Sequence, residues 1–300
     1  MRSYSKIHAL GKKEVEGILS GYIHVEEKVD GSQFRIEIDG QGIISCASHH
    51  VELSNVDSLF KLGTEQAQNV FKGLREEGKI ITIFAEYLAK PKQNQIPYAR
   101  TPANNFIIFD VIIGDKILDR EEKERFAFNY GCEVVPLLWR GEGKDFTEDI
   151  WKELLTKESC LKHQAGYDRI EGLVIKNYKQ IFPVPEGHSL YGFFMVAKIV
   201  NESFCETKKI KSPRGSEIEG LKESLKSKAR WEKAYQNLNE KGELKGDASD
   251  IGSMIRRVMT DIKEEETETI KTELYNIFIK EILQHSTNGL ATWYQTEKIK

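Results

Sequence analysis

The 300-residue chain lacks the features that mark several large classes of protein. No uninterrupted apolar run approaches the length of a membrane span, so we expect no membrane partner. Residues 1–11 carry no apolar run, and we expect no signal peptide. The net charge of −3 gives no overall attraction to nucleic acid, so such a partner would need a local basic patch. The sequence contains no internal repeat and no low-complexity tract.

Cysteine is scarce and scattered. The four cysteines are Cys46, Cys132, Cys160 and Cys205. They form no Cys-x-x-Cys pair and no metal-ligand spacing, and reduced thiols in a cytoplasmic protein are the simplest explanation. Adjacent His49 and His50 do not indicate a metal site, because neighbours on a strand point to opposite faces.

The chain holds 39% hydrophobic and 30% charged residues, which is enough apolar material for a sizeable core. Its length suits one large domain or, better, two. Near the start, Phe34, Ile36 and Ile38 alternate with polar residues, which predicts a strand with one buried face. Helical patterns at residues 57–77, 119–130 and 146–161, together with a strand expected over 132–138, predict that α and β elements are mixed. Ser54, Asn55 or Asp57 is able to cap the first of these helices, and Asp119 the second.

Lys28 lies at the corner between two predicted strands. It stands in Glu27-Lys28-Val29-Asp30-Gly31, with an acid on each side. One interpretation is a surface ion pair with Glu27 or Asp30. The other is a nucleophile that attacks phosphorus or a carbonyl, provided that burial or a nearby cation depresses its pKa.

Four predicted strands each carry an ionisable residue in or beside an apolar run: Lys28, Glu86, Glu171 and Lys198. Any one of them could form a structural ion pair. Together they predict a polar site between two sheets, since an unpaired buried charge is costly. Two lysines and two glutamates suit a polyanion bound with a divalent metal.

The last ninety residues read as helical. Apolar residues recur with helical spacing at Ile251, Met254, Ile255, Val258, Met259 and Ile262, and again at Ile270, Leu274, Ile277, Phe278 and Ile282. A third helix is predicted from Ile218, Leu221, Leu225 and Ala229. We interpret these stripes as core, and we predict two domains, residues 1–208 and residues 209–300.

A basic stretch opens the second domain. Residues 208–233 carry nine Lys/Arg against four Asp/Glu, the only local excess suited to phosphate. A solvated helix face is the other interpretation. The candidate contacts for nucleic acid are Lys208, Lys209, Lys211 and Arg214.

Five short motifs follow one another in a fixed order: Lys28-Val29-Asp30-Gly31, Phe84-Ala85-Glu86-Tyr87, Phe109-Asp110-Val111, Glu171-Gly172-Leu173-Val174-Ile175-Lys176 and Val196-Ala197-Lys198. Over residues 20–206 this set resembles the covalent nucleotidyltransferases, which are the ATP-dependent RNA and DNA ligases and the mRNA capping guanylyltransferases. Glu27 and residues 201–206 are most similar to the RNA ligase branch that seals nicks in duplex RNA, typified by the second RNA ligase of phage T4.

The resemblance implies an α+β fold, in which an ATP-grasp-like nucleotidyltransferase domain of antiparallel sheets with flanking helices precedes a small helical domain. It implies that Lys28 takes AMP from ATP, that the AMP passes to an RNA 5′-phosphate, and that a 3′-hydroxyl displaces it. The cofactor would be Mg²⁺ or Mn²⁺ near Glu171, keeping several waters rather than sitting in an all-protein cage.

Further roles are implied residue by residue. Lys198 would meet the AMP phosphate, Phe109 would stack on adenine and Glu27 would read the adenine edge. Glu86 would bond the ribose. Gly31 and Lys176 complete the predicted nucleotide site, and Gln33 and His49 are predicted to contact RNA. The expected partner of this monomer is a pair of RNA ends, held in a nicked duplex.

Two alternatives stay open. A DNA ligase or capping enzyme shares the motifs, but no strand series for its C-terminal β-barrel is present. A ligase-derived RNA-binding protein without catalysis is the other, because His49 stands where the branch has arginine and Val200 where it has a second lysine.

Overall fold

A computed structural model of the protein describes residues 2–4, 6–48, 60–167, 169–184, 192–201 and 217–299. The chain divides into two compact units, Met1–Phe204 with Glu240–Gly242 and Cys205–Asn239 with Glu243–Lys300. The predicted boundary after residue 208 falls outside the described residues. Among the described helices, none has the length and apolar character that crossing a membrane requires.

The first unit contains a five-stranded sheet with the order β1-β11-β10-β2-β9. Its strands are β1 (His8–Ala9), β2 (Tyr22–Lys28), β9 (Leu137–Glu142), β10 (Gly172–Ile181) and β11 (Phe194–Val200). Only the β1–β11 pair of this sheet is parallel within the described chain.

The second sheet has the order β4-β3-β5-β6-β7, with β8 pairing in parallel to β6. Its strands are β3 (Ser32–Ile38), β4 (Ile44–Ser48), β5 (Ile81–Tyr87), β6 (Phe106–Ile113), β7 (Lys116–Ile117) and β8 (Glu133–Val134). Three helices flank the sheets: α1 (Lys61–Val70), α2 (Arg120–Asn129) and α3 (Glu148–Leu154). This mixture of mostly antiparallel sheets and helices confirms the predicted fold class.

Local sequence signals explain several of these elements. Phe34, Ile36 and Ile38 of β3 are fully buried, as the alternation predicts. Asp119 caps α2, accepting from the backbone N–H of Glu122 at 2.9 Å, while the Glu122 side chain accepts from the N–H of Asp119. This capping box satisfies two backbone donors at the helix start.

Some predicted boundaries were wrong. The strand expected over 132–138 is interrupted at Val135–Pro136, where proline removes a ladder donor, and the chain forms β8 and β9 instead. The helix expected over 146–161 is confined to Glu148–Leu154. The helix expected over 57–77 is described as Lys61–Val70, and its predicted caps before residue 60 lie outside the described residues.

The second unit is helical where it is described. Its helices are α4 (Glu217–Ser224), α5 (Lys228–Glu240), α6 (Ile251–Ser286) and α7 (Leu290–Glu297). The single helix predicted through Ile218 and Ala229 is in fact two, with a break between Ser224 and Lys228. Inside this unit the buried Arg230 pairs with Asp261 and, at 2.9 Å, with Glu266.

The apolar stripe of α6 is helical but not a core. Ile255 and Met259 are each 55% exposed and Ile282 is 58% exposed, so their predicted burial was wrong. Periodicity indicates which residues share a helix face; it does not determine what covers that face.

Candidate active site

Lys28 ends β2, and its side chain meets the residue that precedes β10. The Lys28 Nζ donates to Glu171 Oε1 at 2.5 Å. The antiparallel register pairs Lys28 with Gly172, which brings Glu171 beside the lysine. A Cβ on Gly172 would lie 2.2 Å from the Ile199 carbonyl oxygen of β11, so only glycine permits this strand spacing.

Glu86 of β5 lies on the other side of the corner. A Cβ on Gly31 would lie 3.1 Å from Glu86 Oε2 and 3.0 Å from the Tyr87 carbonyl oxygen. Glycine at position 31 therefore lets the turn after Lys28 approach Glu86 closely. We call Lys28, Asp30, Glu86 and Glu171 the nucleophile cluster.

The nucleophile cluster carries an excess of carboxylates. Burial raises the pKa of Glu171 to about 6 and that of Glu86 to about 8, with Lys28 partly offsetting both shifts. Burial alone would lower the pKa of Lys28, but the nearby carboxylates outweigh it and hold that pKa above its ordinary value. A lysine with a raised pKa is protonated at neutral pH. This direction is the opposite of the depressed pKa that the sequence analysis required of a nucleophile.

Glu171 fits a metal ligand. The Glu171 Oε2 atom is buried and has no hydrogen-bond partner among the described residues. A buried carboxylate oxygen without a donor is costly unless a cation or water meets it. No group of three or more His, Cys, Asp or Glu suited to a metal occurs in the described part of the chain. The fit is therefore to a cation that keeps most of its water and shares a phosphate.

Asp30 anchors a loop whose function the sequence did not indicate. Its Oδ2 accepts from the backbone N–H groups of Gln95 and Ile96, each at 2.8 Å. The Asn94 amide donates to the Gly31 carbonyl at 2.7 Å. Residues 89–98 therefore brace the turn that carries Lys28. The polar run Gln93-Asn94-Gln95 was the available signal.

Glu27 is held by a segment that the sequence analysis also missed. Its carboxylate accepts from Ser159 Oγ at 2.5 Å and from the Cys160 N–H at 3.0 Å. Burial raises the pKa of Glu27. As the neighbour of Lys28 on a strand, Glu27 projects from the opposite face. Its role toward adenine stays a prediction.

A second group of charges, the buried ion cluster, surrounds Glu26. Its members are Glu26, Asp110, Arg120, Lys123 and Lys176, all nearly inaccessible to solvent. Glu26 contacts Lys123 at 2.7 Å, Lys176 at 2.8 Å and Arg120 at 2.9 Å. Burial would raise the pKa of Glu26, but these three cations hold it well below its ordinary value. Burial lowers the pKa of Lys123 to about 8.

Lys176 belongs to this cluster and not to the nucleophile cluster. Its ammonium contacts Asp110 at 2.8 Å and donates to the Phe109 carbonyl at 2.7 Å. In the β2–β10 register Lys176 pairs with His24, four residues from the Gly172–Lys28 pair. The structure thus separates Lys176 from Lys28, and its role toward a nucleotide stays a prediction.

The remaining predicted residues are divided. Lys198 lies on β11 opposite Val174. Its positive charge offsets part of the increase that burial causes in the pKa of Glu171. Gln33 lies on β3 opposite Glu86. The rest lie outside the described residues: His49, Lys208, Lys209, Lys211 and Arg214.

Comparison with known proteins gives the class and the family. The model of the RNA ligase family matches residues 21–190, which is more than half of the chain. The fold is that of the nucleotidyltransferase domain of ligases. This chain belongs to the RNA ligase family.

Two similar solved structures are of one RNA ligase from Naegleria gruberi. The structure with PPi has 17% sequence identity and a TM-score of 0.50, covering 69% of this chain and 57% of that chain. A mutant with ATP and Mn has 16% identity and a TM-score of 0.50, covering 68% and 57%. This likeness is one of fold, and our chain spans little more than half of theirs. No curated protein matches the sequence.

Proposed function

We propose that this protein is an ATP-dependent RNA ligase that acts through a lysyl-AMP on Lys28 and belongs to the branch that seals nicks in duplex RNA. The observation that carries the proposal is the 2.5 Å contact between Lys28 Nζ and Glu171 Oε1, inside a corner that Glu86 and Asp30 surround. Family membership supports the reaction class.

In the first step the neutral Lys28 amine attacks the α-phosphorus of ATP. The N–P bond forms, the P–O bond to the β-phosphate breaks, and pyrophosphate leaves. Lys28 must first lose a proton, and Glu171 Oε1 is the carboxylate oxygen hydrogen-bonded to it. Covalent capture of AMP divides a difficult transfer into easier ones.

Glu171 would hold Mg²⁺ or Mn²⁺ through its unpartnered Oε2. When bound, such a cation neutralises phosphate charge and offsets the carboxylates that raise the pKa of Lys28. The same carboxylates make the site unsuited to a bare polyphosphate. Glu86 would bond the ribose, and Lys198 would contact the AMP phosphate.

In the later steps a 5′-phosphate oxygen of RNA attacks the phosphorus of lysyl-AMP, which releases Lys28 and forms RNA-adenylate. A 3′-hydroxyl then attacks the 5′-phosphate, and AMP leaves as the strand closes. Gln33, His49 and the basic residues Lys208, Lys209, Lys211 and Arg214 are the proposed RNA contacts.

The test is intact-protein mass spectrometry after incubation with ATP and Mg²⁺, with pyrophosphate removed. Wild type should gain one AMP, and Lys28→Ala should gain none. Lys28→Arg is the matched control, because it keeps the positive charge between the carboxylates but provides no lysine amine. An adduct of undiminished yield on Lys28→Ala would exclude Lys28 as the nucleophile.

The polynucleotide is tested separately. Pre-adenylylated protein should join nicked duplex RNA faster than nicked duplex DNA of the same sequence. Preference for the DNA would favour the DNA ligase alternative, and labelling by GTP instead of ATP would favour a capping enzyme. RNA binding unchanged by Lys28→Ala, with no adduct on wild type, would favour the non-catalytic alternative.

A further inference from the structure

Phe109 occupies a β-bulge in the second sheet. In the β5–β6 ladder Phe84 pairs with Asp110 and Ala85 pairs with Ile108, so Phe109 is the extra residue between them. A bulge removes its residue from the ladder and re-aims the side chain. The carbonyl of such a residue needs a partner from elsewhere when it is buried.

That partner is a pair of lysine ammonium groups. Lys123 Nζ and Lys176 Nζ each donate to the Phe109 carbonyl oxygen at 2.7 Å. The side chains of Lys123 and Lys176 are 0% and 1% exposed. Two charge-assisted donors on one carbonyl fix the bulge more firmly than a single ladder bond would.

The lysines are themselves fixed. Lys123 contacts Glu26 Oε1 at 2.7 Å, and Lys176 lies between Glu26 and Asp110 at 2.8 Å from each. The Tyr4 hydroxyl donates to the other oxygen of Asp110 at 2.6 Å. The position of the bulge is therefore set by the whole buried ion cluster.

The ring of Phe109 is only half-buried, unlike Ile108 and Asp110 beside it. Phe84 stacks near it at 6.2 Å between ring centroids, and Tyr4 meets it edge-on at 5.0 Å. Glu26 and Lys28 share one face of β2, about 7 Å apart along the strand. The cluster that holds Phe109 thus lies within reach of a nucleotide whose α-phosphate meets Lys28.

We infer that Lys123 is a positioning residue for nucleotide binding: it holds the Phe109 bulge so that the ring presents its face to a planar nucleobase. The inference rests on the proposed function, because it takes the base to be that of the ATP which Lys28 attacks. Lys123 lies on α2, outside the five motifs that carry the family resemblance.

The experiment compares Lys123→Met with wild type in the formation of the AMP adduct. We expect the apparent affinity for ATP to weaken about tenfold. The Phe109 carbonyl loses one of its two hydrogen-bond donors, and the Phe109 ring is therefore no longer held in its orientation. The rate at saturating ATP should change less than about twofold, because Lys28 and Glu171 are untouched. Inhibition by tripolyphosphate in the presence of Mg²⁺, a ligand without a base, should be unchanged.

Arg120→Met is the matched control. Arg120 also contacts Glu26, at 2.9 Å, but the backbone carbonyl to which it donates is that of Val135 and not that of Phe109. Arg120→Met should lower the melting temperature as Lys123→Met does, but it should leave the apparent affinity for ATP unchanged. In a Phe109→Ala background, Lys123→Met should cost no further ATP affinity, since the ring is already absent.

Equal ATP affinities in Lys123→Met and Arg120→Met would overturn the inference, as would additive losses in the double variant. If Lys123→Met does not fold, Lys123→Met with Glu26→Gln keeps the net charge of the cluster and replaces it in every comparison. A wild type that forms no adduct would overturn the proposed function and this inference together. An adduct with unaltered ATP affinity in Lys123→Met would overturn this inference alone.

Discussion

Two charged clusters lie two residues apart on the same face of β2, and they are built in opposite ways. Around Lys28 stand three carboxylates, and burial raises the pKa values of Glu171 and Glu86 to about 6 and about 8. Around Glu26 stand three cations, which hold its pKa far below the ordinary value although burial opposes them. The side chains of Lys28 and Glu171 are 24% and 16% exposed, whereas the members of the buried ion cluster are almost inaccessible to solvent.

The difference distinguishes a site from a support. In the buried ion cluster both oxygens of Glu26 lie within 2.9 Å of a cationic group: Oε1 contacts Lys123 and Arg120, and Oε2 contacts Lys176. The nucleophile cluster has more negative charge than Lys28 neutralises, and Glu171 Oε2 has no partner among the described residues. Strongly shifted pKa values in an incompletely neutralised cluster are typical of functional sites. Removing one charge should therefore have different consequences in the two clusters.

The largest effect should come from Lys176→Met. Removing one partner from a buried ion pair leaves a charge without compensation and costs about 3–5 kcal/mol of unfolding free energy. Urea unfolding measures this loss. Lys116→Met is the matched control, because Lys116 pairs with Glu122 at the surface, where an ion pair contributes little. Equal losses in the two variants would contradict the comparison.

A smaller effect, on a different quantity, should follow from Glu171→Gln. Formation of the AMP adduct should slow by about 100-fold, because a preorganised charge at the reacting centre is lost. The free energy of unfolding should hardly fall, because the substitution removes one of three carboxylates that repel one another around Lys28. The two readouts are the rate of adduct formation by mass spectrometry and the urea midpoint. A large loss of stability with full activity would assign Glu171 to structure.

The smallest effect concerns pH. Glu26 has a folded-state pKa below its unfolded value, so the unfolded chain takes up the proton first as pH falls. Its stabilisation is present above the unfolded pKa of about 4.5 and is lost as pH falls from there toward the folded pKa. Melting temperatures from pH 5 to pH 3 should fall more steeply for wild type than for Glu26→Gln. Parallel slopes would show that Glu26 does not couple to folding.

Much of the fold could be predicted from local patterns. The alternation in β3 and the cap at Asp119 depend on a few neighbouring residues, and the structure confirms both. Predicted burial was wrong where it needed distant information, as in the α6 stripe. The break at Pro136 carried a local signal that the apolar run concealed.

The sequence by itself determined the order of the motifs, the glycines at positions 31 and 172, and the four ionisable residues that pointed to a polar site. These are local choices, because a tight turn or a close strand approach restricts the residue at that position. Only the tertiary structure decided which charges meet. Lys28 contacts Glu171, which lies 143 residues away in the chain. Lys176 instead contacts Glu26 and Asp110. Strand register and the bulge at Phe109 fix those pairings, and both arise from long-range packing that no local pattern records.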